Sequence, residues 1–469
     1  MSDSDDGDTL LGDLHPYAKI LPRHTELPAR GVAHQELLSQ LETMAQAEQK
    51  KWDTGQVSGT IYHGGLDHYA FLNRAFSLFS HASLLQRDLC PSGTKLEAEI
   101  ISMTAKLLNG DVPATLKASD HVCGSITSGG TESLLSAALV CREVGRKERG
   151  IAVPEIVAPQ TIHPAFDKAS HYLGIKLVRV PLKGYLADVE AMEQHITPNT
   201  VALAASAGNY PWGLVDPLPE LSALAVKRGL LFHVDGCLGG FILPWVERLG
   251  YRVPVFDFRL PGVTSMSCDT HKFGYGLKGT SVVLYRNPEL RRHQYFSTAE
   301  WQGGVYASPT FQGSRSEGLS AAAWAAMVAT GEDGYLEAAR GVMQAATTMR
   351  KGIEAQPELQ LIGDPTFLLA FSSEVVDVFH VNDFLSTKGW RLNGCQLPPA
   401  VHFCVTRPQA RPLVAERFVE DLKAAVAYAK EKHGEPAKSG AMYGLSGSVE
   451  GQEMLTEGLK AWIDATYEP

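Results

Sequence analysis

Four short stretches of this 469-residue chain carry side chains whose types and spacing could do carbonyl chemistry. Lys272 stands in Ser267-Cys-Asp-Thr-His-Lys-Phe-Gly274, just past an apolar run. A lysine amine is the usual nucleophile toward a carbonyl cofactor, with which it forms a Schiff base. Asp235, 37 residues earlier, closes the hydrophobic run of Phe232-His-Val-Asp-Gly-Cys237. A carboxylate there can hold a pyridine nitrogen protonated, which makes the ring an electron sink. Thr127-Ser-Gly-Gly-Thr-Glu-Ser133 directly precedes a helical pattern. Its glycines let backbone N–H groups approach an anion, its hydroxyls add donors, and the helix start adds positive dipole. His163, after the run Glu155–Ala158, can stack on a flat ring.

Each stretch also has a plainer reading. The glycines could form a capped turn, Asp235 could cap the next helix, Lys272 could be a solvated loop lysine, and His163 could be structural. The ordered set of glycine loop, His, Asp and Lys is far more specific than its parts. It describes a pyridoxal-phosphate site on an aminotransferase-like fold.

The elements that must position these residues follow from the hydrophobic pattern. Strands are expected at Glu155–Ala158, Lys176–Val180, Val201–Ser206, Leu230–Asp235, Val263–Ser267 and Ser281–Tyr285. Most are continuous apolar runs, as strands covered on both faces require, and the helices between them imply a mostly parallel sheet. Helices are expected from Glu36 to about Trp52, over Lys95–Leu108 with a stop at Asn109-Gly110, and after Gly130. Past residue 330 the texture changes. Phe367–Phe371 and Val401–Val405 sit among helical patterns, the clearest being Val414, Phe418, Leu422, Ala425 and Ala429. The reading is an α/β protein of fold type I. It has an N-terminal segment (1–60, with 1–15 disordered), a large cofactor-binding domain (61–330) and a smaller α+β domain (331–469).

One motif is a decoy. Gly274-Tyr-Gly-Leu-Lys-Gly279 matches the dinucleotide pattern G-x-G-x-x-G, which works only between a strand and a helix start. Here the glycines lead into the strand Ser281–Tyr285, so dinucleotide binding is set aside.

Composition narrows the partners. Lys plus Arg number 42 against 52 Asp plus Glu, a net charge of −10, so a global footprint for nucleic acid is absent. Seven scattered cysteines without a C-x-x-C pair read as reduced thiols, with no metal site. No apolar run is long enough for a transmembrane helix, and the acidic N-terminus is the reverse of a signal peptide. A soluble cytoplasmic protein is expected.

The sequence from about Val57 to Tyr443 also resembles the sphingosine-1-phosphate lyases, carbon–carbon lyases related to the glutamate-decarboxylase group. The resemblance rests on Val57-Ser-Gly-Thr-Ile-Tyr62, Thr127–Ser133, Pro154–Pro159, His233–Phe241, Asp269–Tyr275, Trp301–Thr310, Gly313-Ser-Arg315 and Tyr443-Gly444. It implies Lys272 as the Schiff-base lysine, Asp235 as partner of the pyridine nitrogen and His163 as the stacking residue. Gly129, Gly130 and Thr131 become the phosphate cradle, with His271, Gly313 and Ser314 also near the cofactor phosphate. Tyr62 and Lys278 match residues tied to activity and to the substrate side. A homodimer with shared active sites is implied, in which the segments of Ser314 and Tyr62 reach across the two-fold.

The sequence departs from this pattern in three places. Eukaryotic members carry an N-terminal membrane helix with no counterpart here, which implies a soluble bacterial-type enzyme. An expected Asn-Pro-Leu-His stretch appears as His81-Ala-Ser-Leu84, and an insertion sits around Val112–Asp120. The implied reaction is retro-aldol cleavage of a phosphorylated sphingoid base to a long-chain aldehyde and phosphoethanolamine. Tyr62, the freed Lys272 and a histidine are all candidates for the base. The alternative activity is amino-acid decarboxylation, in which Arg315 would hold the α-carboxylate. A catalytically silent binding protein is the third reading, against which Lys272 and Asp235 stand intact.

Overall fold

The computed structural model describes residues 14–111, 121–440 and 449–468. The expected insertion at Val112–Asp120, the match at Tyr443-Gly444 and most of the expected disordered start lie outside the described residues.

The continuous apolar runs form the central sheet. In chain order the strands are β1 (Cys123–Thr127), β2 (Glu155–Pro159), β3 (Lys176–Val180), a short pair β4 (Leu182–Lys183) and β5 (Leu186–Ala187), β6 (Thr200–Ser206), β7 (Leu231–Asp235), β8 (Ser265–Cys268) and β9 (Ser281–Tyr285). Seven of them lie in the order β1-β9-β8-β7-β6-β2-β3. Neighbours from β3 through β2, β6 and β7 to β8 run parallel. β9 runs antiparallel to both β8 and β1, so β1 points with the parallel set. Strands β1, β2, β6 and β9 are buried at every position, which is why their sequences do not alternate.

The carboxyl ends of β1, β2, β7 and β8 therefore open toward one side of the sheet. Each of the four chemical stretches directly follows one of those ends, the usual place for ligands in open α/β sheets.

Five helices come first in the chain: α1 (His34–Trp52), α2 (Leu66–Leu78), α3 (Pro91–Leu107), α4 (Gly130–Arg149) and α5 (Ala165–Leu173). α4 buries Leu134, Leu135, Ala138 and Cys141 against Ile156 and Ala158 of β2 and Val201 and Ala202 of β6. Each leucine so buried stabilises by roughly 1.5–3 kcal/mol. That packing fixes the start of α4, and with it the glycine loop.

Two compact units emerge, one of Thr60–Gln344 with Ile362–Leu368, the other of Met1–Gly59, Ala345–Leu361 and Leu369–Pro469. The sequence division at 60 and 330 differs from this grouping, for two physical reasons. Residues before 60 are bonded to the C-terminal residues: Gln409 Nε2 donates to the Gly55 carbonyl (2.6 Å) and Asn393 Nδ2 to Ser58 Oγ (2.9 Å). The change of texture at 330 coincides with a break between two helices within Glu317–Glu354, at Gly331, whose φ of 59° and ψ of 177° suit glycine, but the chain stays in the same unit as far as Gln344.

The second unit holds a four-stranded sheet of β12 (Gln360–Leu361), β13 (Leu368–Ser372), β14 (Asn393–Cys395) and β15 (Ala400–Cys404), ordered β12-β13-β15-β14. Between the two sheets in the chain lies a hairpin, β10 (Phe296–Trp301) and β11 (Gly304–Ser308).

Candidate active site

β1 ends at Thr127 and α4 begins at Gly130, so the glycine loop is a strand-to-helix turn. Its hydroxyls lock the turn to the sheet. Thr127 Oγ1 lies 2.7 Å from Ser133 Oγ, which lies 2.8 Å from Ser281 Oγ of β9. The N-cap residue is Gly129, which has no side chain to satisfy the first amides of α4. A Cβ at Gly130 would stand 2.8 and 2.9 Å from the Asp269 carboxylate oxygens and 3.0 Å from Cys237 Sγ. Only glycine fits there.

Beside this turn lies a cavity of about 360 Å³. Gly129, Gly130 and Thr131 form one wall, His163 and Cys237 another, and Asp269, His271 and Lys272 a third. Lys272 Nζ lies 2.8 Å from Asp269 Oδ2. Burial works to lower the proton affinity of Lys272, but Asp269 foremost, together with Tyr62 and Cys237, outweighs it and holds the amine above the ordinary lysine range. Burial likewise works against an ionised Asp269, yet Lys272 and His271 keep it below the ordinary carboxylate range.

The two histidines have defined tautomers when neutral. Ala165 N–H donates to His163 Nδ1 (3.1 Å), which leaves the ring proton on Nε2. His271 Nδ1 lies 2.6 Å from the Thr280 carbonyl, an acceptor, so Nδ1 carries the proton there. Burial lowers the basicity of His271 despite Asp269 nearby.

Asp235 closes β7, is buried and is not part of the cavity wall. Its Oδ1 accepts from Cys237 N–H (3.0 Å) and from Ser267 Oγ (3.2 Å). Behind it, His233 Nδ1 pairs with Ser265 Oγ at 2.8 Å, and burial pushes this imidazole down to about 4 against the pull of Asp235.

Tyr62, 7% exposed, packs its ring edge-on against Phe273 at 5.0 Å, next in chain to Lys272. Lys278 Nζ sits 4.9 Å from the Tyr62 ring centroid. Burial, then the charge of Lys272, push Lys278 down to about 8. Tyr62 thus packs beside the Lys272 loop of its own chain. Gly313 and Ser314 do not line the cavity of their own chain, and Ser314 is exposed.

Arg315 is already engaged. Its guanidinium forms a two-pronged pair with Glu97 at 2.7 and 3.2 Å and is only 8% exposed. It lies apart from the Lys272 cavity.

Sequence reasoning passed over Asp269 and the Ser267–His233 support of Asp235. All three lie inside quoted motifs, so the signal was present. What it lacked was the short return of the loop that folds Asp269 onto Lys272.

The residues present fit pyridoxal phosphate: an amine in the cavity, an uncapped helix start beside it, and a glycine with no room for a side chain. The pyridoxal-dependent decarboxylase conserved domain matches residues 18–372. A glutamate decarboxylase from Lactobacillus brevis shares the fold, with a TM-score of 0.75 at 19% identity over 90% of this chain and 99% of that one. Fold and domain together define a pyridoxal-phosphate-dependent enzyme of fold type I, and pyridoxal 5′-phosphate is its cofactor.

Nearer relatives are of one kind. A sphingosine-1-phosphate lyase of Dictyostelium discoideum is 44% identical, covering 95% of this chain and 83% of its own. Sphingosine-1-phosphate lyase 1 of Rattus norvegicus is 40% identical over 96% of this chain and 79% of its own. The solved sphingosine-1-phosphate lyase of Burkholderia pseudomallei is 49% identical with a TM-score of 0.87, covering 89% of this chain and 96% of that one. The chain belongs to the sphingosine-1-phosphate lyase family. Among the described residues no helix is long and apolar enough to cross a membrane.

Proposed function

We propose that this enzyme cleaves phosphorylated sphingoid bases between C2 and C3, giving a long-chain aldehyde and phosphoethanolamine. In this reading Lys272 would be the amine that carries the cofactor. Gly129–Thr131 and His271 would hold its phosphate, and His163 would lie against the ring. Asp235, oriented by Ser267 and Cys237 N–H, would hold a proton at the pyridine nitrogen. Bound pyridoxal phosphate supplies the electron sink for the bonds broken at C2. Lys278, with Tyr62 beneath it, meets the substrate phosphate as a point charge. The proton of the C3 hydroxyl goes to Tyr62, to the freed Lys272 or to a histidine of the cavity.

The observation that carries lyase over decarboxylase is the pairing of Arg315 with Glu97. A decarboxylase needs a cation for the α-carboxylate, and the one that sequence offered is bound elsewhere. Incubating the protein and cofactor with a phosphorylated sphingoid base, its unphosphorylated form and a set of amino acids tests this. Aldehyde from the phosphorylated base is expected. Carbon dioxide from an amino acid without aldehyde would overturn the reading.

A homodimer with composite sites belongs to the same proposal. Ser314 is exposed beside a hairpin with exposed Phe296, Trp301 and Val305, a surface for a second copy that would lend Gly313-Ser314 to the partner cavity. A cytoplasmic location is proposed with it.

A further inference from the structure

The carboxylate that touches Lys272 has no part in the scheme above, yet it is among the most deeply buried charges in the site. Asp269 is 2% exposed, its Oδ2 lies 2.8 Å from Lys272 Nζ and 3.7 Å from His271 Nε2. The same carboxylate presses against the glycine turn, at the spot where a Cβ of Gly130 would stand. A buried carboxylate at contact distance favours the ammonium form of its partner, whereas burial alone would favour the free amine.

We infer that Asp269 is a positioning residue that holds Lys272 as an unreactive ammonium aimed at the glycine cradle until the cofactor enters. Only the free amine adds to a carbonyl, so Lys272 must first shed a proton. In that step its N–H bond breaks, the electron pair stays on nitrogen, and the proton passes to Asp269 or to solvent. While the cavity holds no cofactor, the pair shields Lys272 from adventitious aldehydes. Such protection matters in an enzyme whose product is one, so the inference rests on the proposed function. Asp235 is not that partner: it does not line the cavity, and its Oδ1 accepts from Cys237 N–H and Ser267 Oγ.

The groups that act on Lys272 are Asp269, His271, Tyr62, Cys237 and Lys278. Of these only Asp269 is a carboxylate, so removing its charge should reverse the balance. The test uses the full chain stripped of cofactor, trace-acetylated with acetic anhydride across pH 6–11 and read by peptide mass spectrometry. In the wild type, Lys272 should label only at higher pH than exposed lysines, and Lys278 at lower pH. In Asp269→Asn the Lys272 midpoint should fall by at least about one pH unit, a roughly tenfold gain in labelling at pH 8.

An unchanged Lys272 midpoint in folded Asp269→Asn would overturn the inference. If that variant does not fold, the wild type still decides: Lys272 labelling at or below the pH of exposed lysines overturns it too. Borohydride fixation of the reloaded cofactor separates the two ideas. Cofactor fixed on another lysine sinks the proposed site, whereas cofactor on Lys272 with an unmoved pH profile sinks only the role of Asp269.

Discussion

Two regions of the larger unit handle charge in opposite ways. Around Lys272 the chain supplies its own polar partners: the Asp269 carboxylate to the amine, the Ser267 hydroxyl to Asp235, the Thr280 carbonyl to His271. Around the hairpin β10–β11 it leaves apolar side chains open, with Val305 85% and Phe296 61% exposed, while Arg87 and Arg315 converge on the single carboxylate of Glu97. The first region is finished within one chain, whereas the second leaves apolar side chains open on the face that the proposed dimer would cover.

The largest effect should come from the finished region. Lys272→Ala should abolish the visible absorbance band of lysine-bound cofactor together with all aldehyde production. A variant that keeps the band would break the comparison at its root. Asp235→Asn should retain cofactor, held by the cradle and Lys272, but lose on the order of 10²–10³-fold in kcat, the scale for removing one aimed polar group. Near wild-type turnover would mean that the ring nitrogen needs no carboxylate.

Lys278→Ala should cost about ten- to a hundred-fold in kcat/KM for a phosphorylated substrate, as expected for losing a charged contact of roughly 1.5–3 kcal/mol. Its pH dependence sharpens the point. If Lys278 meets the substrate phosphate as proposed, its ammonium is present below about 8 and lost above it, so wild-type kcat/KM should fall as pH rises through about 8. The variant should lack that fall, with an unchanged cofactor spectrum. The smallest effect on folding should come from the unfinished region. Val305→Asp at an exposed site should alter stability by no more than about 0.5 kcal/mol. It should nonetheless shift sedimentation toward monomer and lower activity. An unaltered oligomer would remove the hairpin from the interface.

Strand positions were legible where burial was complete. Lys176–Val180 and Ser281–Tyr285 match the sequence reading residue for residue, and the other four expected strands agree within two residues at each end. β1 was not legible, because Cys-Gly-Ser-Ile-Thr has one large apolar residue and owes its place to the sheet. A Cβ at Gly124 would come within 2.3 Å of the Val283 carbonyl, so this strand is written in close packing, not hydrophobicity. The hairpin escaped for the opposite reason, since its apolar residues are not buried against this chain. In the site, the meeting of Lys272 with the glycine turn was readable from residue type and order. The packing of Tyr62 on Phe273 was not, because contact between two rings so far apart in the chain has no sequence signal.

The neutral imidazole behind Asp235 sets an acid limit for the whole molecule. His233 titrates near 4 when folded, whereas an unfolded chain would take up its proton near 6.5. Between those values the unfolded state binds more protons, so stability is full above about 6.5 and declines as pH falls toward 4. A separation of that size amounts to about 3 kcal/mol, a sizeable share of a typical folding free energy. The buried ring behind Asp235 thereby makes acid a destabilising condition for the folded chain.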